Sequence, residues 1–432
     1  MARTRLAALA LAALAAGAAS ADDLFDAVDR AARAVEPKVI AWRRDIHEHP
    51  ELGNHEQRTA ALVAKQLKKA GLAVRTQVAH TGVLAVLRGS AERPVVALRA
   101  DMDALPVSEE TGLPFASRVR TTYQGREVGV MHACGHDAHT AILLGVAEVL
   151  AGMRDRLPGQ VLFVFQPAEE GVPPGERGGA ELMLEEGAFD DPKPDVVYGL
   201  HVTSFQRFGE IGLVSGAAMA SSDRLTIRVH GRSTHAAYPW KGVDPIAVAS
   251  QIVLALEALP ARQVDARVPS VVSIGAIQGG VRGNIIPDEV ELLGTIRALG
   301  ADVRTQLHER VRRTAAGIAQ SAGATVEVTI DEGNPITWND PDWTRRVRPT
   351  LERVAGRERV IASLPWTASE DFSYYQQRVP GVFFFLGINP PGVDPATAEP
   401  NHSPRFTVDE DALEIGVRAL AQLAVDTLTP PR

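Results

Sequence analysis

Residues 132–139 read His-Ala-Cys-Gly-His-Asp-Ala-His and place an imidazole two positions after the chain's one cysteine, Cys134. Thiolate and imidazole together suit a borderline divalent ion such as zinc, nickel or cobalt. Taken alone, Cys134 reads equally well as a small buried hydrophobe, because a lone cysteine fits no standard zinc spacing. Other segments shift that balance. Glu169 and Glu170 close FVFQPAEE, His201 closes VVYGLH, and Asp101 and Asp103 follow VVALR. In each, a short apolar run with the character of a buried strand is followed at once by a ligand-type side chain. Ligand crevices in open α/β sheets lie beyond the carboxyl ends of the strands, so these groups are expected to converge on one sheet edge. Adjacent glutamates on a regular strand would point to opposite faces, whereas at a strand end the chain can turn and deliver both to one cavity.

The strings HPELG, RADMDALP, HACGHDAH, PAEEG, GLH, GRSTHAAYP, GNIIPD, SEDF and NHSP follow one another along the chain. In that order they resemble the metal-dependent aminoacylase and carboxypeptidase family. Within it they match the branch of hippurate hydrolases, N-acyl-amino-acid amidohydrolases and indoleacetyl-amino-acid hydrolases. The resemblance runs from about residue 38 to the C-terminus. It implies Cys134, His136, Glu170, His201 and His402 as metal ligands, more than one tetrahedral site needs, and so two divalent ions: zinc, manganese, nickel or cobalt. It assigns Glu169 as general base and Asp103 as the carboxylate that orients a ligating imidazole. His235, Asn284 and Arg297 match positions that hold substrate. Arg and Asn suit a carboxylate, and His235 would stabilise the oxyanion from the neighbouring subunit. As residues alone, Asp103 and Asn284 also suit turns, and Arg297 a salt bridge on a strand.

The chain also departs from relatives. Asp101-Met102-Asp103 stands where carboxypeptidase-like members have His-x-Asp, and Asp101 is left out of the ligand set. The loop after Glu170, in EGVPPGERGG, is longer and richer in Pro than usual for the branch and is expected to reshape the pocket mouth. His47, His49 and His55 cluster near HPELG and are read as structural. The implied activity is metal-dependent hydrolysis of an N-acyl-amino acid. A dipeptidase or metallocarboxypeptidase is the alternative, and a silent metal- or solute-binding protein the non-enzyme one. Retention of Glu169 argues against silence, because binding alone needs no base.

A chain of 432 residues suggests two domains, and 45% hydrophobic with 23% charged residues can bury an ordinary core. A formal net charge of −8 argues against nucleic acid or an anionic membrane as partner. Residues 1–21, with Arg3 and Arg5 before a Leu/Ala run and Ala19-Ser20-Ala21, read as a signal peptide, so the mature protein is expected in the periplasm or outside the cell. With one cysteine it can form no internal disulfide there.

Residues 22–212 alternate helical and strand-like periodicities, the pattern of a mainly parallel sheet covered by helices. Residues 213–330 read β-α-β-β-α-β, a ferredoxin-like unit inserted into the catalytic domain, which resumes over 331–432. The resemblance implies that this α/β insertion is a lid and dimerisation domain, making the protein a homodimer acting on a small N-acyl-amino acid or dipeptide.

Overall fold

Residues 21–429 are described by the computed structural model. The expected signal peptide falls outside them, save for the backbone of Ala21. Helix α1 (Ala21–Glu48) buries Val28, Ala32, Val35 and Val39, a stripe at helical spacing. After α2 (Gln57–Lys69) come β1 (Ala73–Val78), β2 (Gly82–Arg88) and β3 (Val95–Asp101), then α3 (His136–Ala151), β4 (Gln160–Gln166), α4 (Gly179–Glu185), β5 (Val196–Thr203) and β6 (Ile211–Leu213). A second unit holds β7 (Asp223–His230), α5 (Pro245–Glu257), β8 (Ser270–Gly279), β9 (Glu289–Ala298), α6 (Ala301–Ser321) and β10 (Thr325–Glu332). The chain closes with α7 (Pro341–Ala355), β11 (Val360–Ala362), β12 (Gly381–Gly387) and α8 (Ala412–Leu428).

Eight strands form the main sheet in the order β1-β2-β4-β3-β5-β12-β6-β11. Its centre, β4-β3-β5-β12, is parallel, and the antiparallel pairings lie to either side. Both faces of the central strands are covered, which is why they are continuous apolar runs rather than alternating ones. One face packs under α1, α3 and α8, the other under α4 and the segment around Phe372–Tyr375. Helix α3 is enclosed along nearly its whole length between the sheet, α1 and α8.

The second sheet is antiparallel, β8-β9-β7-β10, with α5 and α6 on one face. Here β7 alternates buried and less buried positions, and Leu225, Ile227 and Val229 meet Ile252, Leu307 and Val311 in a core of its own. Its element order is the β-α-β-β-α-β read from periodicity. Residues GGAELMLEEGAF have helical character throughout, yet α4 stops at Glu185, because Gly187 takes φ 82 and ends it as a left-handed cap. Strand β12, GVFFFLG, pairs parallel with β5 at the centre of the sheet. No helix among the described residues is long and apolar enough to cross a membrane.

Candidate metal centre

Because β3, β4 and β5 run parallel side by side, Asp101, Gln166 and the His201–Thr203 segment reach the same edge. Beyond β4 the chain turns at Ala168, whose φ of 52 is a left-handed conformation uncommon for a residue with a Cβ. That turn brings Glu169 and Glu170 to one cavity instead of opposite faces. Gly135, at φ 97 and with no space for a Cβ beside Val202, makes the corresponding bend between Cys134 and His136. His402 arrives on a loop with φ 73. Asn401 pins that loop: its Nδ2 donates to the carbonyls of Cys134 at 3.0 Å and Val202 at 3.2 Å, and the His402 N–H donates to Ala133 O at 2.8 Å.

The five side chains implied by the sequence meet here. Cys134 Sγ lies 3.3 Å from His201 Nε2 and 3.3 Å from His402 Nε2. His402 Nε2 is 2.9 Å from Glu170 Oε1. Two sets of ligand atoms, Cys134/His136/His201 and Cys134/Glu170/His402, each fall within 4.8 Å of one another, and Cys134 belongs to both. The imidazoles are preset: His201 Nδ1 donates to Val202 O at 2.7 Å and His136 Nδ1 to Asp103 Oδ1 at 3.2 Å, which turns each Nε2 inward. His136 Nε2 and Glu170 Oε1 are buried without a hydrogen-bond partner among the described residues. Glu170 Oε1 is near His402 but not aligned with it as a hydrogen bond. Buried polar atoms left open in this way, around a thiol, fit a divalent cation.

Electrostatics point the same way. Burial pushes the Glu169 carboxyl well above its ordinary range, reinforced by Glu370, Glu170 and Asp371, with Arg99 opposing. Its neighbour Glu170 goes down: burial opposes ionisation, but His402 and His136 outweigh it. Two adjacent carboxyls with opposite tendencies suit different jobs. Burial alone would depress His136, yet Asp101 and Asp103 hold its ring at about 10. Burial beside Glu170, Glu169 and Asp101 also raises the Cys134 thiol. So much carboxylate around a thiol calls for positive charge, and a bound ion inverts that local balance.

Residues 97–426 match the model of peptidase family M20/M25/M40. The chain belongs to this family. It is 41% identical, over 91% of its length and 96% of the relative's, to thermostable carboxypeptidase 1 of Saccharolobus solfataricus. It is 38% identical to N-acetyl-L-cysteine deacetylase of Bacillus subtilis, over 88% of this chain and 85% of that one. Among solved structures it resembles a dinuclear metal binding peptidase from the M20 family, from Bacillus subtilis, at TM-score 0.77 and 36% identity, covering 92% of this chain and 99% of the other. As an M20 member the chain is a metal-dependent hydrolase.

In this M20 chain, residues that sequence reasoning did not single out hold the centre in place. Glu56 Oε1 accepts the Ala168 N–H at 2.9 Å and its Oε2 accepts the Thr81 hydroxyl at 2.6 Å, so a buried carboxyl clamps the turn that delivers Glu169 and Glu170. Gly53, from HPELG, backs the same turn, because a Cβ there would collide with Gly171 O and Ala168. Buried Arg99 ties Asp101 (2.6 Å), Glu370 (2.8 Å) and Asp371 (2.8 Å) together beneath the site. His139 bridges Asp101 Oδ1 at 2.6 Å and the Val202 N–H at 2.8 Å. Asp103 accepts the Glu170 N–H at 2.9 Å through its second oxygen. The strings RADMDALP, HACGHDAH and SEDF contained Arg99, His139, Glu370 and Asp371, but only tertiary pairing exposes what they do.

The other histidines and the second unit are placed as follows. His47 is buried against Asp137 at 2.8 Å and Glu109 at 3.2 Å, His49 sits on Asp45 O at 2.9 Å, and His55 borders a cavity with Asp103. The EGVPPGERGG loop forms part of that same cavity's wall through Gly171–Pro174. Arg297 lines a cavity of about 800 Å³ that also contains Glu169 and Glu170. His235 and Asn284 line neither this cavity nor the one holding Cys134; they lie where two segments far apart in sequence, Thr234–His235 and Ile285–Ile286, pair antiparallel, with the Ala236 N–H donating to Asn284 O at 3.1 Å, and His235 is exposed.

Proposed function

We propose that this chain hydrolyses the amide bond of an N-acyl-amino acid, releasing a carboxylic acid and a free amino acid. The observation that carries the reading is the pair of ligand sets sharing Cys134, with Glu169 on the wall of the same cavity. Cys134, His136 and His201 would hold one divalent ion, and Cys134, Glu170 and His402 a second; zinc, manganese, nickel and cobalt all suit this mixed S, N and O set. Bound there, the ions would polarise the amide carbonyl and make a water more acidic. The proton work falls to Glu169. Its carboxylate takes a proton from the attacking water and hands it to the amide nitrogen as the C–N bond breaks, a role worth roughly 10²- to 10⁴-fold. Asp103 keeps His136 in one tautomer and anchors the Glu170 backbone.

In this reading the β7–β10 unit, about 213–330, is a lid. Arg297 meets the substrate carboxylate with its guanidinium fork, Asn284 adds an amide donor, and His235 reaches the carbonyl oxygen of a partner subunit's substrate in a homodimer. The exposure of His235 and its distance in sequence from the ligands support delivery across an interface. Residues 1–21 support export to the periplasm or beyond, in which case the mature protein begins near Asp22.

Similarity to the deacetylase supports an N-acyl substrate. Similarity to the carboxypeptidase supports a second reading, cleavage of a peptide bond next to a free carboxylate. Kinetics of the metal-reconstituted protein on matched N-acyl-amino acids and dipeptides separate the two. Higher kcat/KM on the N-acyl series is expected; turnover of dipeptides alone would move the assignment to a dipeptidase, and turnover of neither would overturn both.

A further inference from the structure

Beside the two ligand sets that share Cys134, a further group of donor atoms falls within 4.8 Å of one another: Asp101, His136 and His139, all buried. Most of its donors are already spent. Asp101 Oδ1 accepts from His139 Nδ1 at 2.6 Å, and its Oδ2 accepts from Arg99 at 2.6 Å. His139 Nε2 accepts the Val202 N–H at 2.8 Å, which places the ring's proton on Nδ1, toward Asp101. Only His136 keeps an open nitrogen, Nε2, and that atom belongs with Cys134 and His201. A buried carboxylate and imidazole saturated by an arginine and a backbone amide leave nothing for a cation. They form a strut.

What the strut holds follows from its far end. His136 and His139 are three residues apart at the start of α3 and so share one face of the helix. The His139 ring lies 5.4 Å from that of His136 and 4.7 Å from that of His201. Through the Val202 N–H it grips the peptide bond that follows His201. The Val202 carbonyl then accepts from two donors: His201 Nδ1 at 2.7 Å, which turns His201 Nε2 toward Cys134, and Asn401 Nδ2 at 3.2 Å. Asn401 carries the His402 loop and also donates to Cys134 O at 3.0 Å. The Val202 side chain fills the space beside the Cys134–His136 bend, where a Cβ on Gly135 would meet its Cγ2 at 2.4 Å. Cys134, His136, His201 and His402 are thus all placed against one residue that offers no ligand atom itself.

On the two-ion ligand assignment proposed above, we infer that His139 is a positioning residue: it fixes the Val202 backbone and through it orients one ligand of each ion, His201 for the first and His402 for the second. Asp101, held by Arg99, keeps His139 in the tautomer this needs. Loss of the strut loosens both ions, whereas loss of the Asn401 branch alone loosens the second. Partners of this kind, one bond behind the ligands, carry about 10- to 100-fold in metal affinity.

The test is calorimetric titration of cobalt(II) into the metal-depleted protein, with the visible spectrum of the loaded protein recorded alongside, for wild type, His139→Phe, His139→Gln and Asn401→Leu. Phe keeps a ring between His136 and His201 but offers no acceptor, while the Gln amide supplies an acceptor for the Val202 N–H and a donor for Asp101. His139→Phe should weaken both ions by about 10-fold or more and alter the cobalt spectrum. His139→Gln should recover much of that loss, and Asn401→Leu should weaken one ion and spare the other. A lower urea midpoint for His139→Phe with wild-type cobalt affinities and spectrum would make His139 structural only and overturn the assignment, as would a loss confined to one ion. Asn401 is half-buried on a loop, so its variant decides if His139→Phe does not fold: wild-type affinity for both ions there overturns the route through Val202. Absence of amide hydrolysis would defeat only the reaction, since the readout is metal. A wild type that takes up no cobalt would defeat the ligand assignment and this inference with it.

Discussion

At the scale of single residues, the centre depends on side chains that never touch a ligand position's donor atoms. Glu56 is the clearest. It is fully buried and pushed up to about 8 by burial and by Asp103, yet it holds the N–H of Ala168 in a left-handed turn. Glu56→Ala would leave that N–H and the Thr81 hydroxyl without their buried acceptor, at a cost of roughly 1–3 kcal/mol. A lower urea midpoint is expected, together with weaker metal retention, since Glu170 rides on the same turn. Lower stability with unchanged metal affinity would confine Glu56 to the fold. Residue-scale legibility was uneven for a physical reason. Glu169, Glu170, His201 and Asp103 follow apolar runs, so their placement at a sheet edge could be read locally. Glu56, Arg99 and Asn401 act through partners 112, 272 and 267 residues away, and no local pattern carries such pairings.

At the scale of elements, α1 and α3 are locked by charge where the ligand helix begins. His47, in the last turn of α1, meets Asp137 in the first turn of α3, with Arg43 on the same carboxylate at 2.7 Å. Burial alone would depress His47, but Asp137 and Glu109 outweigh it and raise the ring above its ordinary 6.5. A raised folded-state value means that the contact stabilises fully below about pH 6.5 and fades as pH climbs through the folded value. The stability gap between wild type and His47→Gln, from denaturant melts across pH, should shrink on the alkaline side. A pH-independent gap would mean that the imidazole is neutral throughout. Elements themselves were readable where periodicity was strong, as in α1, α3 and the β-α-β-β-α-β unit. Strand β12 carries the same apolar signal as β5, but nothing local says that it will insert between β5 and β6. The early stop of α4 turned on the backbone of one glycine, Gly187.

At the scale of the whole molecule, two units with separate cores meet across a cavity whose walls come from both, with Glu169 and Glu170 on one side and Arg297 on the other. That juxtaposition was not legible from periodicity, which reports each unit alone; the family resemblance supplied it. Crowded carboxyls at the sheet edge make the metal-free state costly, and a ligand at 100 times its Kd contributes about 2.7 kcal/mol. Chelation should therefore lower the thermal midpoint by several degrees, and added divalent metal should restore it. An unchanged midpoint after verified metal removal would argue that the ligands do not bear on the fold. The central claim is a division of labour between two adjacent glutamates, Glu170 holding metal and Glu169 moving the proton. Turnover by Glu169→Gln at full metal occupancy tests it most directly. Up to two ions per chain are expected, as in wild type, with kcat reduced by at least about 10²-fold for a lost general base; wild-type turnover by the metal-replete variant would show that Glu169 does not move the proton.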